Sequence, residues 1–368
     1  MTDFTGAKVL VVGGAGFVGS NLCHRLVEYD IEQLIVVDNL LSAEKANLPN
    51  SPKLTFIEKS INDDAVLENI PADLDYAFHL ATYHGNQSSI ADPLADHEHN
   101  TLTSLKLFNK LATLKSVKKV VYAGAGCTVA QKTFDKAKAT TEEDAVSLYL
   151  DSPYQMSKIF GEFYGNYYFA KYDMPFVKAR FQNVYGPREI LGAGQWRGTV
   201  NTVWRNVIPT FIFKALHEEA LPLENEGIAT RDFIYVNDLV TGLVHCALVG
   251  ETGGVYNLAS GVETSIRELA DTINRITKNP TPPEIKPARH WDRSGKRFAD
   301  TAKSERELNF KAKVQLEEGI GQTIEWIKNN LEFFYSCITR HRQHASDIID
   351  KILARINAKS GLDNNIML

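Results

Sequence analysis

Apolar residues along the chain fall into short unbroken runs separated by stretches of helical spacing. Residues 8–12 form a β-branched run, followed by glycines and then by apolar positions at Val18, Leu22, Leu26 and Val27. That succession predicts a strand, a tight turn and a helix. Further strands are predicted at 34–37, 54–57, 76–80, 119–122, 176–179 and 255–258. Most of these runs are continuously apolar rather than alternating, as strands covered on both faces should be. Helical patterns lie between them, notably over 101–114 and 154–172. Strands alternating with helices imply right-handed crossovers and an α/β fold with a doubly wound parallel sheet.

The pattern changes after Pro187. Residues 188–204 are rich in Gly, Trp and Arg without clear periodicity, and Pro280-Thr281-Pro282-Pro283 makes a second break. These breaks predict a sheet domain from 1–187 and 233–262, with residues near 233–260 returning to the sheet. A smaller α/β substrate-binding lobe is expected from 188–232 and 263–330. The tail, 331–368, reads as an extra helix carrying Phe333, Phe334, Ile348 and Ile352, with a role in packing or oligomer contact; its last eight residues are expected to be disordered.

Composition narrows the function by exclusion. The 368 residues are 44% hydrophobic and 23% charged with a formal charge of -5, so no global field attracts nucleic acid or an anionic membrane. Any affinity for phosphate must be local. No apolar stretch reaches the roughly 18 residues of a membrane span, and the start lacks the pattern of a signal peptide. Cys23, Cys127, Cys246 and Cys337 are scattered without metal-ligand spacing, so reduced thiols in a cytoplasmic protein, and no metal site, are expected.

Residues 13–19 read Gly-Gly-Ala-Gly-Phe-Val-Gly. Gly13 or Gly14 with Gly16 and Gly19 fits the spacing of dinucleotide-binding turns, with Phe17 and Val18 opening the helix. Glycines permit the tight turn and let the backbone approach a pyrophosphate, which the helix N-terminus receives. The turn follows a strand and opens a helix, and Asp38 ends the next strand, a context that makes the motif specific for a Rossmann-like domain. Asp38 is placed to accept hydrogen bonds from the adenine ribose, and its charge disfavours an extra phosphate. With no arginine in residues 39–41, NAD is expected over NADP; the plainer reading is that Asp38 caps a loop.

Tyr154-x-x-x-Lys158 lies near the start of an amphipathic helix, which puts both side chains on one face. A tyrosine titrates near about 10 and is a poor base at neutral pH. A nearby ammonium, together with a positive nicotinamide ring, stabilises the phenolate and lowers that value. The same lysine can hold the nicotinamide ribose.

Ordered matches continue at Asp38-Asn39, His79-Leu80-Ala81, Asn100, Asn183-Val184-Tyr185-Gly186-Pro187, Arg231-Asp232-Phe233 and Tyr256-Asn257-Leu258. From Gly13 to about Trp326 the chain resembles the extended short-chain dehydrogenases/reductases of the nucleotide-sugar epimerase/dehydratase family. The resemblance implies permanently bound NAD, oxidation of a nucleotide-linked sugar to a 4-keto intermediate, and return of the hydride. It implies Tyr154 as base at the sugar hydroxyl, Lys158 as its partner, and Asn39, Leu80 and Ala81 along the cofactor. It further implies Arg231 on the nucleotide diphosphate, Asn183 on substrate phosphate or sugar, and Arg293 as a second phosphate ligand. His84 and Asn86 follow the fourth strand, where substrate contacts are expected. The helices over 101–114 and 154–172 resemble the pair that forms a four-helix bundle between subunits, which implies a homodimer. Plainer readings stay open: Arg231 paired with Asp232 or another carboxylate, Asn183 as a turn residue, and Arg293 with Lys296 and Arg297 as a solvated basic face.

The turn after the fifth strand departs from the family pattern. Family members carry Ser or Thr there, bonding the tyrosine and the reacting sugar oxygen. Here Tyr122-Ala123-Gly124-Ala125-Gly126-Cys127-Thr128 puts Ala125 at that place. Either the hydroxyl is dispensed with, or Thr128 supplies it from a shifted turn. Cys127 falls where GDP-mannose 3,5-epimerases, which the chain resembles here, carry a cysteine acid/base. A thiol of depressed pKa could shuttle a proton beside a ketone; alternatively Cys127 is a small apolar filler. Val207 lies in the segment where those enzymes place a partner lysine. The Asp-Glu pair of 4,6-dehydratases is replaced by Gly126 and Cys127, which disfavours loss of water. The expectation is an NAD-dependent nucleotide-sugar 4-epimerase. A 3,5-epimerase, 4,6-dehydratase or decarboxylase on the same 4-keto chemistry, or a catalytically silent NAD-binding protein, are the alternatives.

Overall fold

The computed structural model describes residues 3–83, 85–129, 133–289, 295–347, 349–351 and 353–354. Seven parallel strands form its centre: β1 (Lys8–Val12), β2 (Gln33–Val37), β3 (Leu54–Ile57), β4 (Tyr76–His79), β5 (Lys119–Ala125), β6 (Phe176–Phe181) and β7 (Val255–Leu258). Their order is β7-β6-β5-β4-β1-β2-β3. The chain winds outward from β1 in one direction and from β4 in the other, so the carboxyl ends of these two strands flank the topological switch point. Val12 is level with both Val37 and His79. The glycine turn, Asp38 and Leu80 therefore leave the sheet at one height.

Of the twelve α-helices among the described residues, nine build the cores and the site: α1 (Phe17–Leu26), α2 (Asn86–Ala91), α3 (Thr103–Leu111), α4 (Pro153–Tyr172), α5 (Val207–Leu216), α6 (Val236–Leu248), α7 (Ile266–Thr277), α8 (Leu316–Asn329) and α9 (Leu331–Thr339). Alternate residues of β1 enter opposite cores. Val9 and Val11 pack with Leu22 and Leu26 of α1 and Leu239 and Leu243 of α6. Leu10 and Val12 pack with Leu107 and Phe108 of α3 and with Tyr168 of α4. With both faces covered, Val9 to Val12 are all buried and the apolar run is unbroken. A third core joins Phe211 and Phe213 of α5, Leu269 and Ile273 of α7, Ile320 and Ile324 of α8, and Phe334, Cys337 and Ile338 of α9.

Several expectations need adjustment. β5 runs on to Ala125, because Ala123, Gly124 and Ala125 pair with Ala179, Arg180 and Phe181 of β6; the turn is confined to Gly126–Thr128. The pattern over 101–114 is an α-helix only over α3, preceded by a wider π-helical turn at His97–Leu102. Within 233–260, only β7 joins the central sheet. Phe233–Tyr235 pairs instead with Asn183–Tyr185 in a separate two-stranded ribbon, with Tyr185, Phe233 and Tyr235 facing the third core. The extra helix beyond Asn330 is α9, and its apolar side is part of that core. Ile348, Ile352 and the last eight residues lie outside the described residues. Among the described residues, no helix is long and apolar enough to cross a membrane.

Candidate active site

A cavity of about 920 Å³ runs from Asp38 along the ends of β1, β4 and β5 and into the space against the third core, ending near Arg231. Gly13 has φ +84°, and a Cβ there would lie 2.4 Å from the Ala81 nitrogen. A Cβ at Gly19 would lie 2.1 Å from the Gly13 oxygen. Only glycine allows turn, helix and β4 loop to meet this closely. α1 then starts at Phe17 with no side-chain cap and no acidic residue in its first turn, leaving its N–H groups and positive dipole end for an anion.

Asp38 is buried and accepts from Ala15 N at 3.0 Å and Leu40 N at 2.9 Å. Burial raises its pKa, while those N–H groups act in the opposite sense. The loop-capping reading is thus realised, yet a carboxylate has about four acceptor positions, and Asp38 lines the cavity. Asn39 accepts from Leu41 N at 3.1 Å. Glycine cradle, uncapped helix start and buried carboxylate fit a dinucleotide with unphosphorylated ribose; Gly16, Phe17, Val18, Leu80 and Ala81 line the same stretch.

Tyr154 and Lys158 come from the first turns of α4. Ser152 caps this helix, and its hydroxyl donates to Asn86 Oδ1 at 2.9 Å, while Tyr154 N donates to Ser89 Oγ at 3.1 Å. α2 therefore clamps the start of α4, which accounts for Asn86 lying in the cavity wall. Lys158 Nζ donates to the Ala123 carbonyl at 3.1 Å and lies 5.8 Å from the centre of the Tyr154 ring. Burial lowers Lys158 to about 8, partly opposed by Asp96. Burial also pushes the Tyr154 phenol up, reinforced by Cys127 and Asp96 and countered by the Thr82 hydroxyl. The expected depression of the phenol is therefore not produced by the protein alone, because loss of hydration outweighs the Thr82 hydroxyl.

Cys127 is half-buried in the cavity wall beside Tyr154. Thr128 is not in that wall. Its buried hydroxyl donates to the Ala125 carbonyl at 2.7 Å, so the idea that it replaces the turn serine is corrected. At the far end, Arg231 lines the cavity and its Nη1 donates to the carbonyls of Thr230 and Gly295 at 2.7 and 2.6 Å. The neighbouring Asp232 accepts from Ser260 and Gly261. Asn183 and Arg297 line the same end. His84 and Arg293 lie outside the described residues. Among the described residues no His, Cys, Asp and Glu gather as a metal site.

Other wall groups have no motif to announce them. Glu189 is buried, accepts from Asn206 Nδ2, and is raised to about 8 by burial. Arg205 donates to the carbonyls of Thr202, Ser42 and Ala193. Thr82 follows His79-Leu80-Ala81 directly; a hydroxyl at a strand's carboxyl end was the one available signal. Glu189 and Arg205 lie in or beside the aperiodic 188–204 segment, where spacing carries no code.

Residues 9–259 match the model of the NAD dependent epimerase/dehydratase family. A UDP-glucose 4-epimerase of Mycolicibacterium smegmatis is 31% identical over 327 residues, covering 88% of this chain and 99% of the relative. The crystal structure of Bordetella bronchiseptica WbmF in complex with NAD+ and UDP is 55% identical with a TM-score of 0.84, covering 94% of this chain and 98% of that one. The structure of UDP-glucose 4-epimerase from Thermotoga maritima with UDP-glucose is 30% identical with a TM-score of 0.79, covering 88% and 99%. A family match across most of the fold, joined to a cradle and carboxylate that suit its cofactor, leaves one conclusion: the chain belongs to the NAD-dependent epimerase/dehydratase family, and its cofactor is NAD.

Proposed function

We propose that this protein inverts C4 of a nucleotide-linked sugar, with a uridine diphosphate sugar as the first substrate to try, since relatives carry UDP ligands or names. The observation that carries this reading is that Tyr154 and Lys158 face one continuous cavity with the glycine cradle at one end and Arg231 at the other. Gly13, Gly16 and Gly19 hold the pyrophosphate of the cofactor and Asp38 its ribose. When bound, NAD supplies the acceptor and later the donor of the hydride.

Tyr154 takes the proton from the sugar 4-hydroxyl and returns it after the 4-keto sugar has turned its other face. Lys158, fixed by the Ala123 carbonyl, keeps a positive charge within reach of the phenol and stabilises its anion. Arg231 and Asn183 hold the diphosphate end, so the sugar can rotate while the nucleotide stays anchored. NMR of products from UDP-, GDP-, CDP- and dTDP-sugars tests this. A C4 epimer with wild type and none with Tyr154→Phe is expected; no epimer from any sugar, or full activity in Tyr154→Phe, overturns it.

Cys127 beside Tyr154 favours a second reading, 3,5-epimerisation with the thiol moving protons next to the 4-ketone. Solvent deuterium appearing at C3 or C5 would select it, whereas pure 4-epimerisation leaves both carbons unexchanged. We also propose a homodimer. Met156, Phe160, Phe163 and Tyr167 are 42%, 46%, 53% and 52% exposed on α4, and their spacing of four, three and four residues forms one apolar stripe. Sedimentation of a stable monomer would count against it.

A further inference from the structure

The turn after β5 presents no hydroxyl to the cavity, since Ala125 has none and Thr128 donates to a buried carbonyl. A hydroxyl that acts on the phenol comes instead from the loop leaving β4. Thr82 lies on the loop leaving β4 and lines the cavity together with Tyr154, Lys158, Ala125 and Cys127. Its Oγ1 is shielded from solvent and has no hydrogen-bond partner of full geometry among the described residues.

The loop is held on both sides of Thr82. Ala81 packs against Gly13, where no Cβ would fit. Tyr83 N donates to Asn100 Oδ1 at 2.6 Å, and Asn100 Nδ2 donates to Tyr83 O at 3.3 Å and to Asp96 Oδ1 at 2.7 Å. Asn100 sits in the π-helical turn before α3, and such wider turns often re-aim a side chain at a functional site. An otherwise unengaged buried hydroxyl on a pinned loop costs free energy unless it has a use.

We propose that Thr82 supplies the hydroxyl that the turn after β5 lacks, hydrogen-bonding the Tyr154 oxygen and the sugar oxygen whose proton Tyr154 takes. This rests on the reading of Tyr154 as the base. The proton balance is closed: the sugar hydroxyl proton moves to the phenolate, the hydride from the same carbon moves to NAD+, and Thr82 keeps its proton throughout. It donates to whichever of the two oxygens carries the charge. A donor to the charged form favours that form, which agrees with Thr82 countering the rise that burial imposes on the phenol. Cys127 and Asp96 act on both the phenol and its lysine partner, and Glu162 acts on the lysine.

The test compares Thr82→Val, which keeps the shape, with Thr82→Ser, which keeps the hydroxyl, in the NAD-loaded full chain. Tyrosine labelled at Cζ is observed by NMR at neutral pH, the Tyr154 signal being identified by its loss in Tyr154→Phe. The signal is expected to move in Thr82→Val and to return in Thr82→Ser. On a sugar nucleotide that wild type epimerises, Thr82→Val should lower kcat about 100-fold with little change in KM, as for loss of one oriented donor. Thr82→Ser should recover most of it. An unmoved signal, or full kcat in Thr82→Val, overturns the assignment while leaving the epimerase reading intact. A moved signal in a protein that epimerises no sugar keeps the Thr82–Tyr154 contact, ends the catalytic role, and removes the epimerase reading.

Discussion

The two walls of the cavity treat buried charged groups differently. On the sheet side, the charged groups are bonded within the protein, Asp38 to Ala15 and Leu40 and Lys158 to Ala123, while the neutral Thr82 Oγ1 and His79 Nδ1 have no full hydrogen bond among the described residues. Behind β5, Glu162 and Arg180 form a fork of bonds at 2.9 and 2.8 Å. On the lobe side, Glu189 Oε2 in the cavity wall and all three side-chain nitrogens of Arg197, which lies behind that wall, are buried with no hydrogen-bond partner among the described residues. The sheet side fixes positions that must be the same in every turnover. The lobe side buries polar groups without a full set of partners, which costs free energy. Substitutions should therefore lower stability on the first wall and raise it on the second.

The largest effect is expected behind the sheet wall. Glu162 and Arg180 have side chains only 5% and 7% exposed, and removing one partner leaves the other charge buried. Glu162→Ala should cost about 3–5 kcal/mol, read from chemical denaturation. A cost below about 1 kcal/mol would show that water or a neighbour takes over, and that this wall is less rigid than its bonds suggest. Next comes Gly13→Ala. Positive φ together with a Cβ 2.4 Å from the Ala81 nitrogen should cost about 3 kcal/mol. The variant should purify with little NAD, by absorbance after acid release. Full NAD content would break the link between this turn and cofactor binding.

The same division explains what could be read from the chain. β1 and β7 coincide with their apolar runs because a strand buried on both faces leaves an unambiguous mark. The glycine turn, Asp38, Tyr154 and Lys158 were legible because each chemistry needs a residue type at a fixed offset from a strand or helix. Illegible were groups defined by partners far away in sequence. Lys178 and Arg180 lie in the buried strand β6 because Asn166 and Glu162 on α4 receive them. Hydropathy alone would place those charges outside. Ala123, Gly124 and Ala125 looked like a turn because small residues carry no strand signal, yet the pairing with β6 makes them strand. In 188–204, short contacts and buried ions replace periodicity, so neither Glu189 nor Arg197 was visible. Elsewhere in the lobe the strands, such as Pro222–Glu224 and Thr230–Arg231, have two or three residues, too few for any period to register.

The lobe wall is tested first through Glu189, whose carboxyl is raised from 4.5 to about 8 by burial. A raised pKa means that the folded state binds the proton more tightly than the unfolded one. Its stabilising contribution is complete below about pH 4.5 and is lost as pH climbs through about 8. Glu189→Gln, which keeps shape and hydrogen bonding without titrating, should remove that decline. Between about pH 5 and pH 7 the wild type should lose about 2 kcal/mol relative to the variant. Parallel stability curves for the two proteins would mean that Glu189 stays ionised and is compensated, which would move it to the sheet side of the comparison.

The smallest effect is the sharpest in sign. Arg197 is 5% exposed, and burial lowers its guanidinium to about 10, so it remains charged at neutral pH. The lone pull in the other direction comes from Tyr83, and Arg205 is a second cation whose charge Arg197 opposes. Arg197→Met keeps a long flexible apolar stem and removes an uncompensated buried charge. Replacing such charges by apolar side chains of similar volume is often stabilising, and a gain of about 1 kcal/mol is expected once the lost packing of the guanidinium plane is set against it. The backbone bond from Arg197 N to Thr202 at 3.0 Å does not depend on the side chain, so the local turn should survive. Thermal melting of the NAD-loaded protein without a sugar nucleotide reads the result. A rise in Tm, beside a fall for Glu162→Ala under the same conditions, would establish that the two walls differ in kind. A fall for both would mean that Arg197 already has an internal role and that the walls differ only in which partners can be seen.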